Sequence, residues 1–189
     1  MILETILTTR GEDRDQIAPM GVRWQDALVV VAPFRPSATL DGLLRARCAV
    51  LNFTDDVRVF AGCLTGRYHW PTVPAQHVAC NRLADALAHA ELELVRLEDD
   101  SQRPRLFFRE VARFTHAPFA GFNRAQAAVI EAAILVSRLH MLVREKVDTE
   151  MQYLSIAVSK TAGPRELEAW GWLNEEIARF RTSTEATSP

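Results

Sequence analysis

Lysine is almost absent from this chain: Lys146 and Lys160 are the only two among its 22 basic residues. The bias towards arginine reads as genomic composition. With 24 acidic side chains the net charge is −2, which offers no basic surface for nucleic acid or an anionic membrane. Cysteine is scarce too. Cys48, Cys63 and Cys80 are odd in number and widely spaced, with no CxxC pair. That pattern excludes a full disulfide set and argues against zinc-ribbon or thiol-exchange chemistry. Cys48 in an apolar strand and Cys63 in an apolar helix read as reduced core residues. No apolar run is long enough to span a bilayer. The amino terminus carries Glu4 inside its apolar run and lacks the basic start of a secretory signal, so the expected compartment is the cytoplasm. Catalytic signatures are missing as well: there is no GxSxG, HExxH, P-loop or GxGxxG. The five histidines are scattered, none with a second histidine or a cysteine at ligand spacing, so no metal site is expected. His69, beside Trp70 in a proline-rich loop, is the one best placed to line a site, although a solvated loop histidine is the commoner outcome. Glu91, Glu93 and Glu98 read as the wet face of a strand.

What is present is a soluble globular composition. Hydrophobic residues make up 48% and charged residues 24% of 189 positions, enough for one domain with a substantial core, or one domain with a helical extension. Up to about Thr115 the pattern is strand-like, and from Asn123 it is helical. Ile2–Thr9 and Ala18–Trp24 read as a hairpin around the polar turn Arg10–Asp15. Ala27–Phe34 and Cys48–Phe53 are apolar runs of strand length, expected to be buried. Asp55 or Asp56 can cap a short helix from Val57 to Leu64. Gly66–Ala75, with Pro71 and Pro74, is expected to be loop, and Leu92–Glu98 and Arg105–Thr115 to be strands joined by a turn. Short connections without regular strand–helix alternation suit a small antiparallel Greek-key barrel rather than a doubly wound sheet. Three helices follow. The first, Arg124–Leu142, is apolar around most of its circumference. The second carries Val147, Met151, Leu154 and Val158, and the third starts at Pro164 and carries Leu167, Trp170, Leu173 and Ile177 inward. The expected organisation is a barrel over 1–118, a helical region packed on it over 119–182, and a frayed tail over 183–189.

The stretch Arg35–Thr54 carries the most chemistry. A polar Arg-x-Ser-x-Thr turn opens a short helix and leads into a strand that reaches Asn52. Unpaired N–H groups and the positive dipole end at a helix start can hold an anion. Arg35 adds a planar cationic fork, and Ser37 and Thr39 add hydroxyl donors. On local chemistry alone, Ser37 as a helix cap is the simpler role. Ala18-Pro19-Met20-Gly21 begins a strand whose glycine either forms a bulge or lets a flat ligand approach. Asn52 and Thr54 supply donors and acceptors at a strand end, or satisfy a turn.

The ordered blocks APMGVRW, PFRPSATLDGLL, CAVLNFTDD and FNRAQAAVIEAAILVSRL, spread over residues 2 to 160, resemble the domain of unknown function 447 family. That family is related to the flavin-reductase-like FMN-binding split barrels. The resemblance implies a six-stranded split barrel with a C-terminal three-helix extension, forming a homodimer with FMN at the subunit interface. It implies that Arg35, Ser37 and Thr39 hold the FMN phosphate, that Met20, Gly21 and Val22 run beside the isoalloxazine, and that Asn52 and Thr54 meet its polar edge or ribityl chain. Relatives often place an aromatic residue and a glycine where this chain has Pro36-Ser37-Ala38. Asn123 and Arg124 match a family motif, and a helix cap by Asn123 is its simplest account. The implied activity is that of a flavin-dependent oxidoreductase with a small-molecule donor or acceptor, in the setting of tetrahydromethanopterin-linked one-carbon metabolism. A non-catalytic flavin carrier or sensor, or a cofactor-free scaffold, is the alternative.

Overall fold

A computed structural model describes residues 1–185, in two compact units: 1–55 with 69–119, and 56–68 with 120–185. The first unit is a closed barrel. Its strands are β1 (Leu3–Arg10), β2 (Asp15–Gln25), β3 (Leu28–Val31), β4 (Cys48–Phe53), β7 (Ala88–Glu98) and β8 (Arg105–Thr115). They run in the spatial order β1-β2-β3-β8-β7-β4, every pair antiparallel, with β4 closing onto β1. The β1–β2 turn requires Gly11, because a Cβ there would lie 2.3 Å from the Arg14 carbonyl oxygen. Asp26 and Ala27 both take positive φ, 50° and 63°, the two-residue turn that matches strand twist. That turn is why β3 starts at Leu28 and not, as expected, at Ala27.

Alternation builds the barrel interior. Leu7, Val22, Val29, Leu51, Leu92 and Phe108 point inward. Helix α1 (Ala38–Ala46) adds Leu40 and Leu43 to the same core, each contributing about 1.5–3 kcal/mol by burial. The opposite face of β1, β4 and β7 is buried as well, under the segment 69–87. Gly66–Ala75 was expected to be loop, yet Thr72–Pro74 forms β5 and pairs with β6 (Asn81–Leu83). Two proline-flanked residues at edge-strand spacing carry too little pattern to announce a strand. The strand expected from Leu92 begins at Ala88, which brings His89 and Glu91 into the sheet. Glu91 is not wet: it is fully buried, because the loop across it supplies hydrogen-bond donors.

The second unit comprises α2 (Val57–Leu64), α3 (Arg124–Val136), α4 (Arg144–Thr161) and α5 (Pro164–Glu185). Helix α2 falls in the sequence between barrel elements, but its Val57 and Ala61 share an apolar cluster with Ala132 and Val136 of α3 and Leu173 of α5. Asp56 caps α2 by accepting the Arg58 N–H. Helix α3 ends sooner than expected. The Ser137 hydroxyl donates to the Ile134 carbonyl at 2.7 Å, competing with the helical ladder, and a 3-10 turn follows at Leu139–Met141. Asn123 caps α3 through the Ala125 N–H at 2.8 Å and donates to the Thr161 carbonyl at 2.9 Å, so it also ties α3 to the end of α4. Residues 183–185 of the expected frayed tail continue α5, and 186–189 lie outside the described residues. No helix among the described residues is long and apolar enough to cross a membrane.

Candidate functional site

Met20, Gly21 and Val22 sit in β2 opposite Thr5, Glu4 and Leu3 of β1. The Thr5 hydroxyl donates to the Met20 carbonyl at 2.9 Å, and Val22 points into the barrel core. A groove of about 220 Å³ runs over Gly21 and Val22, walled by Arg23, Val30, Arg103 and Arg105. Ile2 and Glu4 lean over Gly21 and leave little room for a side chain there. A Cβ there would come within 3.2 Å of Ile2 Cγ2 and 3.4 Å of a Glu4 carboxylate oxygen.

Arg105 donates to Glu98 and to Gln25, each at 2.8 Å. Its Nε is buried without a hydrogen-bond partner, singular in this respect among the described residues. A buried N–H without an acceptor is costly, and Arg105 carries that cost in the wall of the groove. Arg103 Nε donates to the Ala32 carbonyl at 2.9 Å and its guanidinium lies over Phe34 at 4.7 Å. With Arg23 and Arg105 it brings positive charge to the groove.

The chain continues from the groove wall at Ala32 to the start of α1. Ser37 is the N-cap: with extended backbone (φ −155°, ψ 139°), its oxygen accepts the Leu40 N–H at 3.2 Å. The cap expected on local chemistry is therefore present. Arg35 turns its fork towards the β7–β8 connection, pairing with Asp99 at 2.7 Å and donating to the Asp100 carbonyl at 3.1 Å. Thr39 is buried and accepts from Gln16 Nε2 at 3.4 Å. Ser37 is five steps along the chain from Ala32, a reach of at most about 18 Å, so groove and helix start belong to one region of the barrel unit.

Asn52 lies across β1 from that region, opposite Ile6. It is fully buried; its Nδ2 donates to the Ile6 carbonyl at 3.0 Å and its Oδ1 accepts the Leu83 N–H at 2.7 Å. The Asn52 amide thus pins β6 to the barrel, with both of its ends engaged. Thr54, half-buried, follows the end of β4. His69 is exposed.

Three side chains that the sequence reading passed over stand together. His89 Nε2 lies 3.1 Å from Glu91 Oε1, and His89 Nδ1 lies 2.8 Å from His116 Nε2. The available signal was the H-x-E spacing, which places both side chains on one face of a strand. Arg103 was read only as part of a turn, and Arg105 only as the first residue of the strand that follows. No group of three or more His, Cys, Asp or Glu among the described residues could hold a metal ion.

An antiparallel six-stranded barrel, filled by α1 and extended by helices, is the architecture of the FMN-binding split-barrel proteins. The chain belongs to the DUF447 family: the family's N-terminal domain, described as a protein of unknown function, matches residues 3–117, and its C-terminal part matches residues 123–175. An uncharacterised protein of Methanocaldococcus jannaschii is 26% identical over 181 residues, covering 88% of this chain and 92% of the relative. Among solved structures, an FMN-bound DUF447 protein of Methanosarcina mazei is 21% identical, with a TM-score of 0.80 over 93% of this chain and 94% of that one. An FMN-binding protein of Thermus thermophilus, solved with bound 1-cyclohex-2-enone, is 20% identical with a TM-score of 0.52 over 60% of this chain and 70% of that one. A flavoredoxin of Methanosarcina acetivorans is 12% identical with a TM-score of 0.53, over 61% and 69% of the two chains.

Proposed function

We propose that this protein binds FMN and is a flavin-dependent oxidoreductase of the flavin-reductase type, acting as a homodimer with the flavin at the subunit interface. The observation that carries the reading is the groove over Gly21 and Val22, walled by Arg23, Arg103 and Arg105. It lies on a barrel shared along nearly the whole chain with a protein that is FMN-bound.

The residues fit the cofactor. Met20, Gly21 and Val22 offer a stretch of strand beside the groove to a flat ring, and Arg105 in the groove wall offers a guanidinium to a ring or ribityl oxygen. The Ser37 hydroxyl accepts from Leu40 and keeps its own hydrogen for a phosphate oxygen. The first N–H groups of α1 add to it, with Thr39 in the first turn and Arg35 just before the cap. Asn52 and Thr54 close the far side across β1, Asn52 by fixing backbone. When bound, the flavin supplies hydride and electron transfer, and the chain supplies binding, orientation and electrostatics. Ile2 and Phe34 on the barrel unit are 63% and 64% exposed, apolar surface suited to being covered by a second chain. The donor or acceptor is a small molecule; reduced nicotinamides, deazaflavins and reduced pterins of one-carbon metabolism are the classes the resemblance implies.

The test is an FMN titration of three variants. Arg105→Ala should weaken FMN about tenfold or more, since a hydrogen bond from a charged donor is worth about 1.5–3 kcal/mol. Ser37→Ala should weaken it as well, and so should Ser37→Gly, which retains most of the capping stability. Unchanged affinity in all three would overturn the assigned site.

A further inference from the structure

Glu91, His89 and His116 form a hydrogen-bonded chain from the interior of the barrel unit to its surface. Glu91 and His89 are 0% and 1% exposed, whereas His116, just beyond β8, is exposed. Glu91 accepts the backbone N–H groups of Gln76, His77 and Val78 at 2.8, 2.6 and 3.1 Å. Burial pushes the Glu91 carboxyl up, but the N–H donors of Gln76 and His77, with His89, outweigh it and hold the group below the ordinary carboxylate value. Glu91 is therefore an anion.

An anion only accepts, so His89 Nε2 carries a hydrogen towards it. In the neutral ring, His89 Nδ1 must then accept, and His116 Nε2 must be the donor. The two rings are near parallel, at 5° with centroids 5.0 Å apart. What remains free at the surface is the lone pair of His116 Nδ1. A proton arriving there can be matched by passage of the Nε2 proton to His89 Nδ1. The positive charge then rests on His89, beside Glu91. A buried carboxylate orienting an imidazole is the logic by which a base is held in one tautomer and its cation stabilised. The other groups facing the pair are Arg82 of β6 and His77, which stacks on Phe114 beside His89. Burial first, then Arg82 and His89, hold His116 below its usual 6.5, so at neutral pH it is an unprotonated base.

The chain ends near Thr54 of the proposed site, at the opposite end of β8 from Arg105. His116 N donates to the Leu87 carbonyl at 2.8 Å, and Leu87 N donates to the Phe53 carbonyl at 2.9 Å, next to Thr54. His89 is also directly opposite Asn52 in the sheet.

We propose that His116 is the proton acceptor for a hydride donor that loses a proton as well, with His89 and Glu91 as its positioning residues. The donor is a compound with a C–H next to an N–H or O–H. Its C–H breaks and hydride leaves with the electron pair to the flavin, its N–H or O–H breaks and the proton goes to His116 Nδ1, and C=N or C=O forms. The role rests on the flavin reading. A reduced nicotinamide loses only hydride and needs no such base.

Two measurements test it. The first needs no flavin: a pH titration of the histidine ring nitrogens by NMR. His116 should carry its hydrogen on Nε2 and titrate below its usual value, and His89 should carry its hydrogen on Nε2 with Nδ1 accepting from His116. In Glu91→Gln the His116 step should fall further, and in His116→Gln the hydrogen-bond shift at His89 Nδ1 should vanish. A His116 with its hydrogen on Nδ1, or a His89 Nδ1 signal that His116→Gln leaves unmoved, overturns the relay; His116→Gln, an exposed substitution, keeps this readable if Glu91→Gln unfolds. The second is anaerobic bleaching of FMN-loaded protein. His116→Gln should slow bleaching by tetrahydrobiopterin about 100-fold, in the range for a general base, and leave bleaching by NADH within about twofold. Equal slowing of both donors, or of neither, overturns the proton-acceptor role. The expected histidine tautomers in a protein that retains no FMN also overturn that role, but they do so through the flavin reading and leave the relay standing.

Discussion

Glu91 accepts the backbone N–H of His77 at 2.6 Å from a position with no solvent exposure, so a charged side chain holds a connecting loop onto a strand. The same carboxylate takes the N–H groups of Gln76 and Val78. Removing it orphans three donors at once. Glu91→Ala should cost about 3–5 kcal/mol in urea unfolding, in the range for breaking a buried charged network. Amide exchange at residues 76–78 should accelerate. Unchanged protection at those amides would show that the clamp contributes nothing.

Acid should release the same clamp. The folded Glu91 group titrates below its ordinary value of 4.5, so the unfolded chain binds the proton more readily. Its stabilising contribution is complete above about pH 4.5 and is lost as pH falls through the lowered folded value. Glu91→Gln should flatten the stability-versus-pH curve in that window. An identical acid slope in variant and parent would contradict the assignment.

Asn52 joins Ile6 of β1 to Leu83 of β6 through one amide. Asn52→Ala leaves a buried carbonyl and a buried N–H unpaired. The expected loss is about 2–4 kcal/mol from two unsatisfied groups, read as a lower melting midpoint before any ligand is added. A stable Asn52→Ala would mean that the β5–β6 hairpin is held mainly by other contacts such as Thr8 to Asn81, 2.5 Å apart.

Local pattern made the barrel legible. Valine-rich runs gave β3 and β4, the polar turn gave the β1–β2 hairpin, and Ser37, Asp56 and Asn123 announced three helix starts by their capping chemistry. What stayed hidden depended on contacts distant in sequence. Glu91 looks like a solvated strand residue until residues 76–78 lie over it, and Asn52 looks like a turn amide until Leu83 arrives. Helix α2 sits in the sequence among strands, yet its apolar residues are completed by helices more than sixty residues later. Gly21 and the Arg35–Thr39 turn could be named in advance. The groove beside Gly21 could not, because Arg103 and Arg105 are distant in sequence and reach it only once β8 pairs with β3.

Cys48 and Cys80 are buried free thiols with their sulfurs 2.7 Å apart. The hydrogen bond between them raises Cys48 and lowers Cys80, so Cys80 is the first to ionise and attack. Diamide should join them, taking two electrons and two protons to become its hydrazine. The intact mass should fall by about 2 Da, the two hydrogens lost on oxidation of a dithiol. Cys63→Ser should still show that loss and Cys80→Ser should not. A mass loss that persists in Cys80→Ser would contradict the pairing.

The central claim is tested most directly by the flavin absorbance of the purified protein after incubation with FMN and removal of the excess. The account predicts retained yellow colour at about one flavin per chain, as expected for two equivalent sites in a symmetric dimer, and its loss in the Arg105→Ala Ser37→Gly double variant. Colourless protein, or flavin that the double variant retains equally well, would contradict it.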